Sequence, residues 1–213
     1  MSQTDQHKTH HGSGGTEVLD AALQLFANKG FAATSVREIV LKAGLTKPAL
    51  YYHFGSKEGL LRAIIDLGFS EFEERVRRRL ATATDARDAL VKFTEASFEV
   101  ASQKPELASL VYQVIFGSEG TTGGVDVSSI AERNRTFVMT VIDRAVRDGL
   151  IPQDHADTAG LLLSGVVNIH LMAYLKGQLR ELTPQLAHQA VDLYLWGVAA
   201  PASNDASTSV REG

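Results

Sequence analysis

The sequence contains no cysteine, which removes several kinds of chemistry. Without thiols the chain forms no disulfide, offers no thiolate to a metal and has no cysteine nucleophile. No apolar stretch occurs before Thr16, so we expect no secretory signal. The apolar segment Ala159–Leu175 contains no charged residue, but it is shorter than the roughly 20 residues of a bilayer span and therefore predicts a buried helix. We expect a cytoplasmic protein with no membrane partner.

Signals of catalysis are also missing. No pair of carboxylates lies beside a histidine at a useful spacing. The glycine-rich segment Gly117–Gly124 lacks the Lys-Ser/Thr of a P-loop and follows a predicted helix instead of a strand. This segment is either a mobile lid or a disordered loop. The histidines of the N-terminal tail lie in a polar, glycine-rich stretch, which makes a poor metal site. We predict no enzymatic activity, no cofactor and no metal site.

The charges that are present are distributed unevenly. The net charge is -4, and the composition, 44% hydrophobic and 22% charged, is that of a soluble protein with a sizeable core. From Lys29 to Lys57, however, five basic residues occur with one acidic residue, Glu38, which gives a local charge of +4. The remainder of the chain therefore carries -8. This asymmetry indicates a small basic module joined to an acidic body.

Apolar residues recur at helical spacing along most of the chain, and no convincing alternating strand pattern occurs. Ser35 followed by Glu38 is a capping box that starts a helix, and Gly30 and Gly44 end helices. The predicted fold class is all-α. We expect helices to begin at Thr16, at Ser35, near Thr46 to Pro48 and at Ser56, followed by helices over Ala86–Gln103, Glu106–Phe116, Ser128–Arg147, His155–Lys176 and Pro184–Ala199.

Three short helices fill residues 16–54, and only three or four residues separate the second from the third. This is the sequence form of a helix-turn-helix, whose second helix lies in the major groove of DNA. In that helix Leu50 and Phe54 are predicted to point inward, so that Pro48, Ala49 and Tyr52 face outward. A proline costs little in a first helical turn, because the N–H that it removes has no partner there.

The outward residue types suit DNA contact. Ala49 can contact a thymine methyl group, and Lys47 can reach a guanine edge or a phosphate. Arg37, in the preceding helix, is a further candidate for a base or a phosphate. Side chains that are suited to phosphate oxygens, which set position without reading sequence, are Tyr51, Tyr52, His53 and Lys57.

The segment from Leu19 to Ile65 resembles the DNA-binding region of the TetR/AcrR family of bacterial transcriptional regulators. The motifs AA-LF-GF, T-S/T-V-REI, AG, LYYHF and SKE-LL carry the resemblance in that order. It implies a homodimer that binds a pseudo-palindromic operator in double-stranded DNA and that a small molecule releases. By position it implies DNA contacts at Thr34, Ser35, Arg37, Thr46, Lys47, Pro48, Ala49, Tyr51, Tyr52, His53 and Lys57.

The chain then divides into four parts. We expect disordered tails at 1–15 and 201–213, a DNA-binding domain at 16–62, and a helical effector-binding and dimerisation domain at 63–200. In the family the last two long helices form a four-helix interface with the partner subunit. The residues here that suit this role are Gly160, Ser164, Gly165, Leu186, Ala190, Leu193, Tyr194 and Gly197.

An effector pocket is expected among the middle helices, since small-molecule sites are mostly apolar with a few polar groups that orient the ligand. No charged residue is predicted to face inward, so we expect a largely apolar effector. Asn168 and His170 would be the polar groups. The candidate lining residues are Phe93, Phe98, Tyr112, Phe116, Phe137, Met139, Asn168, His170, Met172 and Tyr174. The sequence thus predicts a ligand-released repressor; an activator and a regulator controlled by a protein partner are the alternatives.

Overall fold

The computed structural model describes residues 13–116 and 125–198. Within these ranges the chain forms nine α-helices joined by turns, and it contains no β-strand. The prediction of an all-α fold is confirmed. The helices are α1 (Ser13–Lys29), α2 (Val36–Ala43), α3 (Lys47–Phe54), α4 (Lys57–Leu80), α5 (Ala86–Gln103), α6 (Pro105–Phe116), α7 (Val127–Arg147), α8 (Ala156–Leu175) and α9 (Pro184–Val198).

The helix starts follow local capping signals. Ser35, Thr46 and Ser56 are the N-caps of α2, α3 and α4, and each hydroxyl accepts a hydrogen bond from a backbone amide of the first turn. These bonds satisfy amides that have no partner inside the helix. Asp85 and Asp126 do the same for α5 and α7. The starts of these five helices therefore depend on side chains within three residues of the capped amides.

The predicted N-terminal tail needs one correction. α1 begins at Ser13, so the last three residues of the segment predicted to be disordered, 1–15, belong to a helix. Residues 1–12, the predicted C-terminal tail 201–213 and the glycine-rich segment 117–124 lie outside the described residues.

Two apolar clusters fill the interior. The first is built from α1 to α3 and the start of α4, with Phe26, Ile39 and Leu50 fully buried, and it continues into α6 through Leu110 and Val114. The second lies among the end of α4 and α5, α7, α8 and α9. Each fully buried side chain of this size contributes about 1.5–3 kcal/mol. The core of the helix-turn-helix therefore includes side chains of α6 as well as those of α1 to α4.

α4 connects the two clusters as one unbroken helix. Leu60 and Leu61 belong to the first cluster, and Val76 belongs to the second. The predicted division after residue 62 therefore falls within a helix, with no linker between the two parts. Ion pairs join α4 to the body as well: Arg133 of α7 contacts both Asp66 and Glu73.

Candidate nucleic-acid interface and ligand cavity

The turn between α2 and α3 is short and well defined. Gly44 adopts a left-handed conformation with φ of 67°, which glycine reaches without a steric penalty. The N–H of Leu45 then donates to the carbonyl of Val40 at 2.9 Å, and Thr46 caps α3. Two helices of eight residues each are thus held at a fixed mutual angle, as in a helix-turn-helix.

α3 has one buried and one exposed face. Leu50 is fully buried and Phe54 is half-buried, as predicted, whereas Tyr52 is 86% exposed and Tyr51 is 47% exposed. The next turn is equally tight, since a side chain at Gly59 would lie 2.0 Å from the carbonyl oxygen of Phe54. This close approach fixes the direction in which α4 leaves α3.

The remaining side chains predicted to contact DNA are mostly at the surface. Pro48 and His53 are exposed, and Ala49 is half-buried in the first turn of α3. Arg37 and Lys47 are exposed, and neither has a carboxylate within ion-pair distance among the described residues. Ser35 is exposed, but its hydroxyl is already used in the α2 capping box.

Thr34 is a correction to the predicted contacts. Its side chain is only 2% exposed, and its hydroxyl donates to the carbonyl of Gly30 at 2.8 Å. The Thr34 hydroxyl therefore provides a hydrogen-bond donor for the carbonyl that follows α1, inside the fold. The prediction that its side chain lies at the DNA surface is wrong.

Lys57 has a structural role that the sequence did not indicate. Its ammonium donates to the carbonyls of Phe31 and Thr34 at 3.0 and 2.9 Å and lies 4.2 Å from the centre of the Phe31 ring. Two of its three N–H groups thus hold the loop between α1 and α2 against the start of α4. A phosphate contact by the third N–H stays a prediction.

Glu38 joins the same loop to α2. Its carboxylate accepts hydrogen bonds from the ammonium of Lys29 and from the amide and hydroxyl of Ser35. These bonds, that of Lys29 first, lower the pKa of Glu38 from 4.5 to about 2. Lys29 and Lys57 are therefore both engaged within the protein, while Arg37 and Lys47 remain for an external anion.

We predict that the ionised Glu38 carboxylate makes the stability of the protein depend on pH in the acidic range. A lowered folded-state pKa contributes stability that is complete above the ordinary pKa of 4.5 and is lost as the pH falls through about 2. The melting temperature of a Glu38→Gln variant should lie below that of the wild type at neutral pH, and the difference should vanish as the pH approaches 2. Thermal melts of both proteins across this range measure it; a difference that does not depend on pH would contradict the assignment.

A cavity of about 440 Å³ lies among α4, α5, α6, α7 and α8. Most of its wall is apolar, and aromatic side chains come from three of the helices. The sequence-predicted residues that line it are Phe93, Tyr112, Phe116, Met139 and Asn168. The hydroxyl of Tyr112 donates to Oδ1 of Asn168 at 2.8 Å, and burial raises the pKa of this tyrosine.

The other five residues predicted for the effector pocket do not line this cavity. Phe98 is buried in the core beside His170, whose Nδ1 donates to the carbonyl of Val166. Phe137 packs at the edge of Phe72. Residues on α8 that do not line the cavity also include Met172, which is 41% exposed, and the half-buried Tyr174.

Several cavity residues were missed by the sequence-based prediction. On α8 they lie on the same stripe as the predicted Asn168: Asp157, Leu161, Ser164, Asn168 and Leu171 follow each other at spacings of four, three, four and three residues, which a helical wheel could have indicated. An arginine and an aspartate, both with largely exposed side chains, also belong to the wall. The polar or charged residues that were missed are Ser97, Asn134, Arg135, Asp157 and Ser164.

Comparison with known proteins agrees with this architecture. Residues 18–64 match the family model for bacterial regulatory proteins of the tetR family. The transcriptional repressor KstR2 of Rhodococcus jostii is 28% identical over 139 residues, 65% of this chain and 68% of that protein. The transcriptional activator FasR of Mycolicibacterium smegmatis is 28% identical over 183 residues, 85% of this chain and 80% of that protein. The TetR-family regulator PfmR of Thermus thermophilus superposes with a TM-score of 0.69 at 25% identity, over 86% of this chain and 96% of that one.

Residues 18–64 form a DNA-binding segment of the tetR family of bacterial regulatory proteins, and most of the chain is similar to transcriptional regulators of the TetR/AcrR family. The relatives' names are those of regulators and not of enzymes.

The chain exposes an apolar surface on α8 and α9, which pack against each other. On α8, Leu162, Ile169 and Met172 recur on one face and are 49%, 62% and 41% exposed. On α9, Leu193 and Trp196 are 66% and 80% exposed. We call these five residues the α8–α9 surface. Exposed apolar residues at such density mark an interaction site.

The residues predicted for the dimer interface fall into two groups. Gly165, Leu193 and Gly197 are exposed, and Leu186 is half-buried. The other four face the interior of the subunit, so their prediction as interface residues is wrong: Gly160 and Ala190 are buried, Tyr194 is buried with its hydroxyl donating to the carbonyl of Ala159, and Ser164 lines the cavity.

α8 is therefore less buried than predicted from Ala159–Leu175. Together with the turn before it, Gln153–Leu175 is long and apolar enough to cross a membrane by length and composition, with a mean hydropathy of 1.5. Only 22% of the apolar 18-residue stretch within this segment is buried in the single chain. One such helix is weak evidence for insertion into a bilayer, and a partner subunit accounts equally well for its apolar face.

Proposed function

We propose that this protein is a homodimeric, cytosolic transcriptional repressor that binds a pseudo-palindromic DNA operator and that a small, largely apolar effector releases. The observation that carries the proposal is the exposed face of α3, set by a capped helix-turn-helix within the segment that matches the family. Residues 16–62 form its DNA-binding part, and residues 63–200 bind the effector and the partner subunit.

The distribution of free and engaged cations supports the α3 face as the DNA surface. Lys47 at the start of α3 and Arg37 at the start of α2 both extend from helix N-termini, where backbone amides also favour phosphate oxygens. Tyr51, Tyr52 and His53 of α3 are exposed as well. Base contacts in this arrangement come from the first turn of α3, at Lys47, Pro48 and Ala49.

We predict different effects for the two lysines near this surface. Lys47→Ala should reduce the magnitude of the slope of log binding constant against log salt concentration by about one unit, because one phosphate contact is lost. Its melting temperature should equal that of the wild type. Lys57→Ala should destabilise the protein by about 1–3 kcal/mol, because two carbonyls lose their donor. Salt titrations on operator and random duplexes, together with thermal melts, measure both effects. An unchanged slope for Lys47→Ala, or an unchanged melt for Lys57→Ala, would contradict the assignments.

The cavity shares walls with the elements that hold the helix-turn-helix. Gly68, Phe69 and Phe72 of α4 line it, and the same helix begins at the turn after α3. On α6, Tyr112 lines the cavity, and its neighbour Gln113 donates to the carbonyl of Ala27 in α1 at 3.1 Å.

A ligand that favours a different position of α4 or α6 therefore changes the spacing of the two α3 helices in the dimer. Two such helices must lie about 34–36 Å apart to enter successive major grooves on one side of the duplex. A tenfold to hundredfold loss of operator affinity requires a coupling free energy of only ~1.4–3 kcal/mol.

The experiment that tests the proposal is selection of bound DNA from a random pool by the full chain. An inverted repeat should be enriched, with half-sites about one helical turn apart. A Lys47→Ala variant serves as the matched control, since it keeps the fold and should recover the repeat less efficiently. Failure to enrich any inverted repeat would contradict the proposal.

An activator is the second candidate, because one relative is named a repressor and another an activator. Transcription in vitro from a promoter that carries the selected operator separates the two. The protein should lower transcript yield if it is a repressor, and raise it if it is an activator. A regulator controlled by a protein partner would bind the operator but respond to no small molecule.

A further inference from the structure

Two charged residues line the mostly apolar cavity. Arg135 of α7 and Asp157 of α8 belong to its wall, and their side chains are 59% and 83% exposed, which places them at its solvent-facing side. A guanidinium nitrogen of Arg135 lies 3.2 Å from a carboxylate oxygen of Asp157. An apolar cavity with charge at its opening fits a molecule that has an apolar body and a charged head.

The two partners do not depend equally on this ion pair. Asp157 lies in the first turn of α8, where the unpaired amides and the helix dipole favour a negative charge. Arg135 lies in the middle of α7, and within residues 13–116 and 125–198 Asp157 is the carboxylate in ion-pair distance of it. An exposed pair with one contact contributes little free energy. Arg135 is therefore the member that can exchange its partner at low cost.

The amides on the same wall favour an anionic head over a cationic one. Oδ1 of Asn168 accepts a hydrogen bond from the hydroxyl of Tyr112. The side-chain N–H groups of Asn168 are therefore the groups available to a ligand. Asn134 precedes Arg135 and also lines the cavity. A guanidinium and amide N–H groups match carboxylate oxygens, whereas an ammonium would have to displace Arg135 and then repel it.

We propose that the effector is an apolar molecule with one carboxylate, which Arg135 binds in place of Asp157. The guanidinium donates two N–H groups to the carboxylate, and the apolar body lies against Phe69, Phe72 and Phe93. This inference rests on the ligand-responsive regulator proposed above. Binding replaces the Arg135–Asp157 ion pair between α7 and α8 by a contact of Arg135 with the ligand.

Calorimetric titration of the full chain without DNA tests the proposal. The probes are octanoate, octanol and octylamine, with biphenylcarboxylate as an acid of different shape. The wild type should bind octanoate at least about tenfold more tightly than octanol, the effect of a charge-assisted hydrogen bond. Arg135→Gln should abolish this preference and leave octanol binding unchanged. Asp157→Asn should strengthen octanoate binding, because the competing carboxylate is gone.

Arg147→Gln is the matched control, since Arg147 is an exposed arginine on the same helix outside the cavity wall. It should keep the wild-type preference. Equal binding of octanoate and octanol by the wild type, tighter binding of octylamine, a preference that survives in Arg135→Gln, or no binding of either acid would each overturn the proposal. An acid that binds through Arg135 without releasing the operator supports this inference and contradicts the proposed release mechanism, so the two failures are distinguishable.

Discussion

Replacement of Leu50 by alanine is expected to destabilise the protein by about 2–5 kcal/mol and to abolish specific DNA binding. Leu50 is fully buried in the cluster that α1, α2, α4 and α6 share, and it is the buried anchor of α3. Its truncation leaves a cavity that the surrounding helices fill only in part. Because α3 has eight residues and an isolated helix of that length is unstable in water, loss of the anchor also loosens the DNA surface.

Chemical unfolding followed by circular dichroism, and fluorescence anisotropy with labelled operator, measure the two effects. Leu41→Ala is the control for stability, because Leu41 belongs to α2 and is 78% exposed. This control should change the free energy of unfolding by less than about 0.5 kcal/mol. A Leu50→Ala protein that unfolds at the wild-type denaturant concentration would show that Leu50 does not anchor α3.

Replacement of Leu193 by aspartate is expected to raise the dimer dissociation constant by roughly thirtyfold or more, the effect of losing one strong interface residue. Leu193 lies in the α8–α9 surface and is 66% exposed in the single subunit. A carboxylate there would be desolvated against the apolar side chains of a partner, which costs more than the loss of the leucine contacts alone. Operator binding should fall in parallel, since one subunit reaches only one half-site.

The measurement uses a probe that the chain already contains. Trp196 is its single tryptophan and lies in the same surface, 80% exposed in the single subunit. Its emission should shift to longer wavelength when the wild type is diluted and the dimer dissociates. For Leu193→Asp the same shift should occur at a higher protein concentration than for the wild type. Leu67→Asp on α4 is the matched control, because Leu67 is 50% exposed outside the α8–α9 surface. Sedimentation that finds Leu193→Asp as dimeric as the control would rule out this surface as the interface.

The wrong prediction for Thr34 and the unforeseen structural role of Lys57 have one cause. The side chains of Thr34 and Lys57 are suited to phosphates, and their positions match the family pattern. Their partners, however, are carbonyls of the α1–α2 loop, and for Lys57 these lie 23 and 26 residues away along the chain. A sequence pattern shows which groups a residue can donate to, but not which acceptor is close to it in space.

On α8, the prediction of interface residues was wrong for Gly160 and Ser164 for a similar reason. This helix is apolar nearly all round, so its periodicity does not distinguish a face toward the core, a face toward the cavity and a face toward a partner. The structure separates them: Gly160 packs against Met139 of α7, Ser164 lines the cavity, and Ile169 is exposed. The rotation of a helix about its axis depends on what its neighbours offer, which an isolated pattern does not contain.

The helix-turn-helix could be predicted from sequence because its signals are local. The capping box of Ser35 and Glu38, the left-handed Gly44 and the cap at Thr46 each act within a few residues. Such signals specify where helices begin and end, and hence the all-α class and the α3 surface. The cavity wall, the partner of Lys57 and the exposed strip of the α8–α9 surface depend on contacts between distant helices, and these exist only once the helices have packed.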